Sequence, residues 1–119
     1  MMNWGQASRR SRQERTRLLR QVQTRLERFA ASRDPATVLG TAALAEATAL
    51  LDMAPESAAD VEVAHAVGWL HWYRYLVRDP GDDQQDLTAA LRLLAAVYRA
   101  QPDAVPEQVR EYFDAELIA

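Results

Sequence analysis

The chain has 119 residues, the size of one domain, with 49% hydrophobic and 26% charged residues. This length and composition exclude disorder and two full catalytic domains. The absence of Cys excludes disulfides, thiolate zinc sites and a Cys nucleophile, and two His make a His-based metal site improbable. The net charge of −3 is uneven, since residues 1–33 hold nine Arg and two acids (+7) and residues 34–119 carry −10.

The composition predicts an all-α fold of about five helices. Ala occurs 22 times and Leu 14 times, against only 4 Gly, and β-branched residues are few. No apolar run reaches the roughly 18 residues of a membrane span, and the N-terminus is rich in Arg rather than apolar as in a signal peptide. We therefore expect a cytoplasmic protein that does not bind a membrane.

The first predicted helix covers residues 7–31 and is amphipathic. Its apolar stripe is formed by Leu18, Val22, Leu26 and Phe29, at steps of four, four and three. The opposite face is basic, which fits a solvated or docked face, a protein partner, or the phosphates of a nucleic acid. The arginines that define this face are Arg9, Arg10, Arg17, Arg20, Arg25 and Arg28. We interpret residues 1–33 as a separate arginine-rich helix and residues 34–119 as the main helical domain.

A second helix is predicted from Asp34-Pro35, a strong start signal, to about Met53, because Pro55 ends it. The third predicted helix, residues 57–78, is apolar on almost every side, which is typical of a central helix. It carries Trp69, Trp72 and Tyr73, which fit either core packing or a surface for a partner or small ligand. Its two histidines, His65 and His71, are six residues apart and cannot share one metal, so we expect structural roles.

The fourth predicted helix begins at Asp82 or Asp83 after a Pro-Gly break and ends before Pro102. With Asp86, these aspartates fit helix capping better than calcium binding, because the EF-hand spacing is absent. Asp86 lies in the first turn of this helix. Leu94 lies in the middle of its apolar stripe. Arg74 and Arg78 lie near the end of the third predicted helix, before the break. Their positive charges complement the negative end of that helix's dipole.

A fifth helix opens near Pro106 and carries Phe113 and Leu117. We expect the third, fourth and fifth predicted helices to form one core, with the basic first helix across one end of it. Its last turn is apolar, although a helical array normally ends in a polar capping helix. This pattern predicts that a further repeat, a partner or a second copy covers Phe113 and Leu117. The cationic first helix and the acidic remainder favour the second copy, with two molecules arranged head to tail. If the first helix instead folds back on its own body, the same attraction is satisfied internally and the chain stays monomeric.

An internal repeat relates two of the predicted helices. Ala43-Leu44 followed by Pro55 matches Ala90-Leu91 followed by Pro102 at a shift of 47 residues. The pattern is similar to the second helix of a tetratricopeptide repeat, and residues 34–113 resemble the long divergent units of large actinobacterial multidomain proteins. The positions that carry the resemblance are Ala43, Ala47, Leu50 and Pro55, then Ala90, Leu94, Val97 and Pro102. Gly68 lies twenty-two residues before Ala90 instead of twelve, so a compact bundle stays open beside a regular array.

The resemblance implies a non-enzymatic adaptor or scaffold for protein–protein interactions, without cofactors and with self-association favoured. The sequence contains no phosphate loop, no serine elbow and no paired catalytic carboxylates. Two alternatives are a small nucleic-acid-binding regulator that uses the arginine-rich helix and a small-molecule binder at the Trp69, Trp72 and Tyr73 surface. The expected partner-binding residues are Arg17, Arg20, Arg25, Arg28, Trp69, Trp72, Tyr73, Phe113 and Leu117.

Overall fold

The computed structural model describes residues 4–53, 60–78 and 84–118, with the side chains of residues 11–53, 60–78 and 84–116. Every regular element in these ranges is helical and the helices pack as a bundle, so the all-α prediction is confirmed. The helices are α1 (Trp4–Ser32), α2 (Ala36–Leu39), α3 (Thr41–Asp52), α4 (Val61–Val77), α5 (Gln85–Ala100), a 3-10 helix (Pro102–Ala104) and α6 (Glu107–Ile118). The predicted ends at Pro55, Asp82 and Asp83 lie outside the described residues.

The basic helix α1 is part of the core. Leu18, Leu19, Val22 and Phe29 are buried, as the apolar stripe predicts, and α1 packs along α3 and α4. We had expected this helix across one end of a core formed by the later helices. It instead belongs to a cluster of buried side chains from α2, α3 and α4, together with Leu93 of α5, because its stripe is long enough to cover both neighbours.

The predicted second helix is divided in two at Gly40, which has an extended backbone (φ −60°, ψ 151°). The single helix expected from Asp34 to Met53 is therefore wrong. The break leaves carbonyls of α2 without intrahelical partners. Arg25 of α1 donates to the Thr37 carbonyl at 3.2 Å and Arg74 of α4 donates to the Val38 carbonyl at 2.8 Å. Two arginines from neighbouring helices thus satisfy the end of α2.

Helix α4 lies between two clusters of buried apolar residues, which agrees with its predicted central position. Val63, Val67 and Leu70 face the first cluster, with α1, α2 and α3. Ala64 and Trp72 face the second, with α5, the 3-10 segment and α6. The core is therefore double rather than the single core expected around the third, fourth and fifth predicted helices.

The contact between α4 and α5 is close because Gly68 has no side chain. A Cβ atom at Gly68 would lie 2.7 Å from both Cγ and Cδ2 of Leu94, and 3.4 Å from Cβ of Leu93. Leu94 is fully buried at this point, as its place in the stripe predicts. Gly68 therefore sets the distance between the two helices.

The repeat positions have matching environments in α3 and α5. At the shift of 47 residues, each of the three stripe positions is buried in both helices. The pairs are Ala43 with Ala90, Ala47 with Leu94, and Leu50 with Val97. The pattern thus marks the buried face of each helix.

Candidate functional site

An open groove of about 610 Å³ runs along α1. We call it the arginine groove. It brings together the four arginines predicted to bind a partner and adds neutral hydrogen-bonding side chains and one carboxylate. Its lining residues are Gln13, Thr16, Arg17, Arg20, Gln21, Thr24, Arg25 and Arg28 of α1 and Glu46 of α3.

The groove forms because the core-facing stripe of α1 covers only part of the helix. At about 100° per residue, the flank beside that stripe carries Arg25 and Arg28, and Arg20 lies farther round. Helix α3 packs on α1 with its small residues Ala43 and Ala47 buried, which brings Glu46 to the edge of the groove. Eight of the nine lining residues therefore belong to α1, and Glu46 is the contribution of α3.

One arginine of the groove already holds a carboxylate. Arg25 Nε and Nη2 donate to the two Glu46 carboxylate oxygens at 2.7 and 3.0 Å, a two-pronged pair between α1 and α3. The hydrogen bond from Arg25 to Glu46 raises the pKa of Arg25, against the effect of burial. Arg25 also satisfies the Thr37 carbonyl, so its side chain is fixed in place. Its role is therefore to position the groove rather than to be free for a partner.

The other arginines are more available. Arg17 pairs with Glu14 one turn away on the same helix, with Nε 3.0 Å from Glu14 Oε2, and both side chains are about half exposed. The exposed guanidinium groups of Arg20 and Arg28 have no hydrogen-bond or ion-pair partner in the described part of the chain. Arg20 and Arg28 are thus the two uncompensated positive charges of the groove.

The aromatic residues predicted as an alternative surface lie largely in the interior. Trp72 is 7% exposed and belongs to the second cluster. Tyr73 is half-buried between Phe29 and Trp69, with ring centroids 4.6 and 5.5 Å away. The Trp69 indole N–H donates to the Ala104 carbonyl at 2.8 Å, which fixes the 3-10 helix on α4. These contacts assign Trp69, Trp72 and Tyr73 to packing.

Of the two residues of α6 predicted to bind a partner, Phe113 and Leu117, the structure describes the side chain of Phe113. Phe113 is half-buried against the second cluster, and its ring contacts Tyr98 at 5.1 Å and Tyr112 at 5.7 Å. The Tyr98 hydroxyl donates to Asp114, which ties α6 to α5. The side chain of Leu117 lies outside the described residues. Phe113 does not line the arginine groove.

The structure contains a buried polar network that sequence reasoning missed. Asp86 is 5% exposed and accepts hydrogen bonds on Oδ1 from His71 Nδ1 at 2.7 Å and Arg74 Nε at 3.0 Å. Arg78 Nε lies 2.8 Å from Asp86 Oδ2 as an ion pair, without the alignment of a hydrogen bond. We had interpreted Asp86 as a capping residue, and Arg74 and Arg78 as complements of the helix dipole. Asp86 instead joins α4 to α5.

The network sets the ionisation of Asp86. Burial acts to raise the pKa of this carboxyl, but the hydrogen bonds from His71 and Arg74 and the charges of Arg74 and Arg78 outweigh burial. The pKa of Asp86 is therefore below its ordinary value. His65, the other histidine, is partly buried, and burial lowers its pKa while a backbone hydrogen bond at Ala104 opposes the change.

The lowered pKa of Asp86 predicts a loss of stability in acid. The unfolded carboxyl, with a pKa of about 3.9, binds a proton at higher pH than the folded one, so folding is favoured above that value. Stability should fall as the pH drops from about 4 through the folded pKa. Urea unfolding between about pH 5 and pH 2.5 measures the slope. Asp86→Asn should flatten it, and an unchanged slope would contradict this assignment.

Other types of site have no support in the described residues. No group of three His, Asp or Glu side chains there is placed to hold a metal ion. No helix among those described is both long and apolar enough to cross a bilayer. A scan against protein-family models and searches of curated proteins and of solved structures found no match to this chain.

Proposed function

We propose that the protein is a non-enzymatic protein–protein interaction module, and that the arginine groove binds an acidic segment of the partner. The observation that carries this proposal is the pair between Arg25 and Glu46, in which both carboxylate oxygens accept from one guanidinium. Such two-pronged contacts are among the stronger and more directional hydrogen bonds in proteins. The groove thus already shows how it holds a carboxylate.

Two arginines without a partner among the described residues lie before and after Arg25 on α1 and extend the binding surface. Arg20 and Arg28 are eight residues apart, which places them about 12 Å apart along α1 and near the pitch of two helical turns. Carboxylates two turns apart on an acidic helix, at positions i and i+7, lie about 10.5 Å apart along its axis, which is close to this spacing. A partner helix that lies along the groove therefore meets both arginines at once.

The resemblance to tetratricopeptide repeats stays part of this proposal. The matched burial of the repeat positions in α3 and α5 agrees with two helices of the same kind in one chain. That resemblance, to units found in large actinobacterial multidomain proteins, implies an adaptor role. A cytoplasmic location is proposed separately, because the sequence has no long apolar run and no apolar N-terminus. The arginine groove adds a specific binding surface to the general role.

A nucleic-acid-binding regulator is the second candidate, and the neutral lining of the groove favours it. Gln13, Thr16, Gln21 and Thr24 offer amide and hydroxyl donors between the arginines. Phosphate oxygens accept hydrogen bonds from both kinds of side chain. Glu46 and Glu14 oppose this function, because each carboxylate lies beside an arginine of this surface and repels phosphate.

A peptide-binding experiment separates these two functions. The probe is a labelled helical Ala/Glu peptide with glutamates at i, i+4 and i+7, compared with its Gln counterpart and a DNA duplex. We expect fluorescence anisotropy at low salt to show binding of the acidic peptide only. The groove variant, Arg20→Glu with Arg28→Glu, should weaken this binding at least about tenfold, since two attractive contacts become repulsive.

The control variant carries the same change of charge elsewhere. Arg92→Glu with Arg99→Glu alters two exposed arginines of α5 that lie outside the groove, so peptide binding should stay near that of the parent protein. Tighter binding of the duplex, with a log–log salt slope of about −0.9 per phosphate contact, would support the regulator instead. If neither probe binds, or if both variants act alike, the groove is not a binding site.

A further inference from the structure

Helix α6 carries an acidic stripe that complements the arginine groove. Glu107, Glu111 and Asp114 are exposed and follow one another at steps of four and three, so they lie within about 60° of each other around the helix. Val109, on the other side of α6, is buried in the second cluster. The stripe therefore lies opposite the buried face of α6. Asp114 accepts from the Tyr98 hydroxyl, whereas Glu107 and Glu111 have no side-chain partner among the described residues.

The groove and the acidic stripe lie on different parts of the bundle. The groove runs along α1 and α3, beside the first cluster. Helix α6 packs on α5 and the 3-10 helix, on the second cluster, and α4 lies between the two clusters. No ion pair between described side chains joins α1 to α6. Within one molecule, the two surfaces do not neutralise each other.

We propose that the occupant of the arginine groove is helix α6 of a second copy of this chain. This inference rests on the proposed function and names its partner. The dimensions agree: Arg17 to Arg28 spans about 16 Å of α1, and Glu107 to Asp114 spans about 10 Å of α6. The acidic stripe is therefore shorter than the row of arginines that receives it.

The contact joins two different surfaces, so the assembly is head to tail. One end of the assembly has an unoccupied groove and the other end has an unoccupied α6. Further molecules can therefore add unless the rotation between neighbouring molecules closes the assembly into a ring. Because the contact consists mainly of exposed charges, salt weakens it: the Debye length falls from about 10 Å at 0.1 M to about 3 Å at 1 M. The association is therefore expected to depend on both concentration and salt.

Sedimentation equilibrium of the full chain over a range of concentrations provides the test. In low salt, we expect the mean mass to rise with concentration beyond that of a monomer, and to return toward it at high salt. The groove variant defined above should be monomeric. The helix variant, Glu107→Arg with Glu111→Arg, changes two exposed acids that make no ion pair among the described residues and should also be monomeric. The Arg92 and Arg99 control should associate as the parent does.

Mixing the two monomeric variants gives the decisive result. The acidic groove of one then faces the basic α6 of the other, and the remaining pair of surfaces is unaltered and attractive, so association should return. Circular dichroism must show unchanged helicity in each variant. If the helix variant loses helicity, Glu107→Gln with Glu111→Gln takes its place and should weaken association in proportion to the charge removed.

The outcomes separate this inference from the proposed function. A parent protein that is monomeric at every concentration, or a mixture that stays monomeric, overturns the α6 assignment. If the acidic peptide still binds in that case, the groove serves a different acidic partner and the proposed function stands. Association that neither variant disturbs also overturns the assignment, since another surface must then carry it.

Discussion

Asp86→Asn is expected to lower the free energy of unfolding by about 3–5 kcal/mol, because it leaves the buried guanidinium of Arg74 without its anion. Arg74 is 4% exposed, and Asp86 Oδ1 is the carboxylate oxygen to which its Nε donates. Arg78 and His71 lose the same partner, and no other carboxylate pairs with these three among the described side chains. Urea unfolding at neutral pH measures the change in midpoint and slope.

Asp103→Asn is the matched control for this substitution. The Asp103 side chain is 96% exposed and its Oδ1 accepts from Arg110 at 3.0 Å, so loss of its charge should cost less than about 1 kcal/mol. Arg74→Met combined with Asp86→Asn should cost less than the sum of the single changes, since the pair is removed together. If Asp86→Asn is as mild as the control, the network does not hold α4 against α5.

The elements of the fold could be predicted because their signals are local. The apolar stripe of α1, the Pro-Gly break after α4 and the prolines around the 3-10 helix each act within a few residues. The break at Gly40 was missed although Gly is a local break signal, because the groups that stabilise the break are distant in sequence. Arg25 and Arg74 donate to the Thr37 and Val38 carbonyls, and nothing near Gly40 indicates these partners.

The candidate site was predictable only in part, for a similar reason. The basic face of α1 follows from helical spacing, which placed Arg17, Arg20 and Arg28 together. The contribution of Glu46 could not be predicted, because it depends on how α3 packs against α1. Sequence therefore indicated the charge of the surface, whereas the groove and its bound carboxylate required the tertiary structure.

The Asp86 network did leave a signal in the sequence. His71, Arg74 and Arg78 follow one another at steps of three and four on a helix that is otherwise apolar. Polar residues on one face of a central helix need buried partners. The first acid of the next helix, Asp86, is the natural candidate once α4 and α5 are recognised as neighbours. The general preference of Asp for helix starts concealed this more specific role.

Leu94→Ala is expected to cost about 2–5 kcal/mol of stability, through lost burial and the cavity that it leaves. Leu94 is fully buried in the second cluster, so neighbouring side chains have little room to move into the vacant space. Leu44→Ala on α3 is the matched control, because Leu44 is 38% exposed and belongs to neither cluster. A midpoint in urea that moves no further for Leu94→Ala than for Leu44→Ala would show that this stripe is not the core face.

Gly68→Ala tests the same contact from the opposite helix. Alanine favours helix formation by about 1 kcal/mol over glycine, but its Cβ would lie 2.7 Å from Leu94 Cγ, so overpacking of about 1–3 kcal/mol opposes this gain. With Leu94→Ala in place the obstructing atoms are gone, and only the helix preference and cavity filling remain. Gly68→Ala should therefore stabilise the Leu94→Ala variant although it does not stabilise the parent. Additive effects in this double-mutant cycle would mean that Gly68 does not set the distance between α4 and α5.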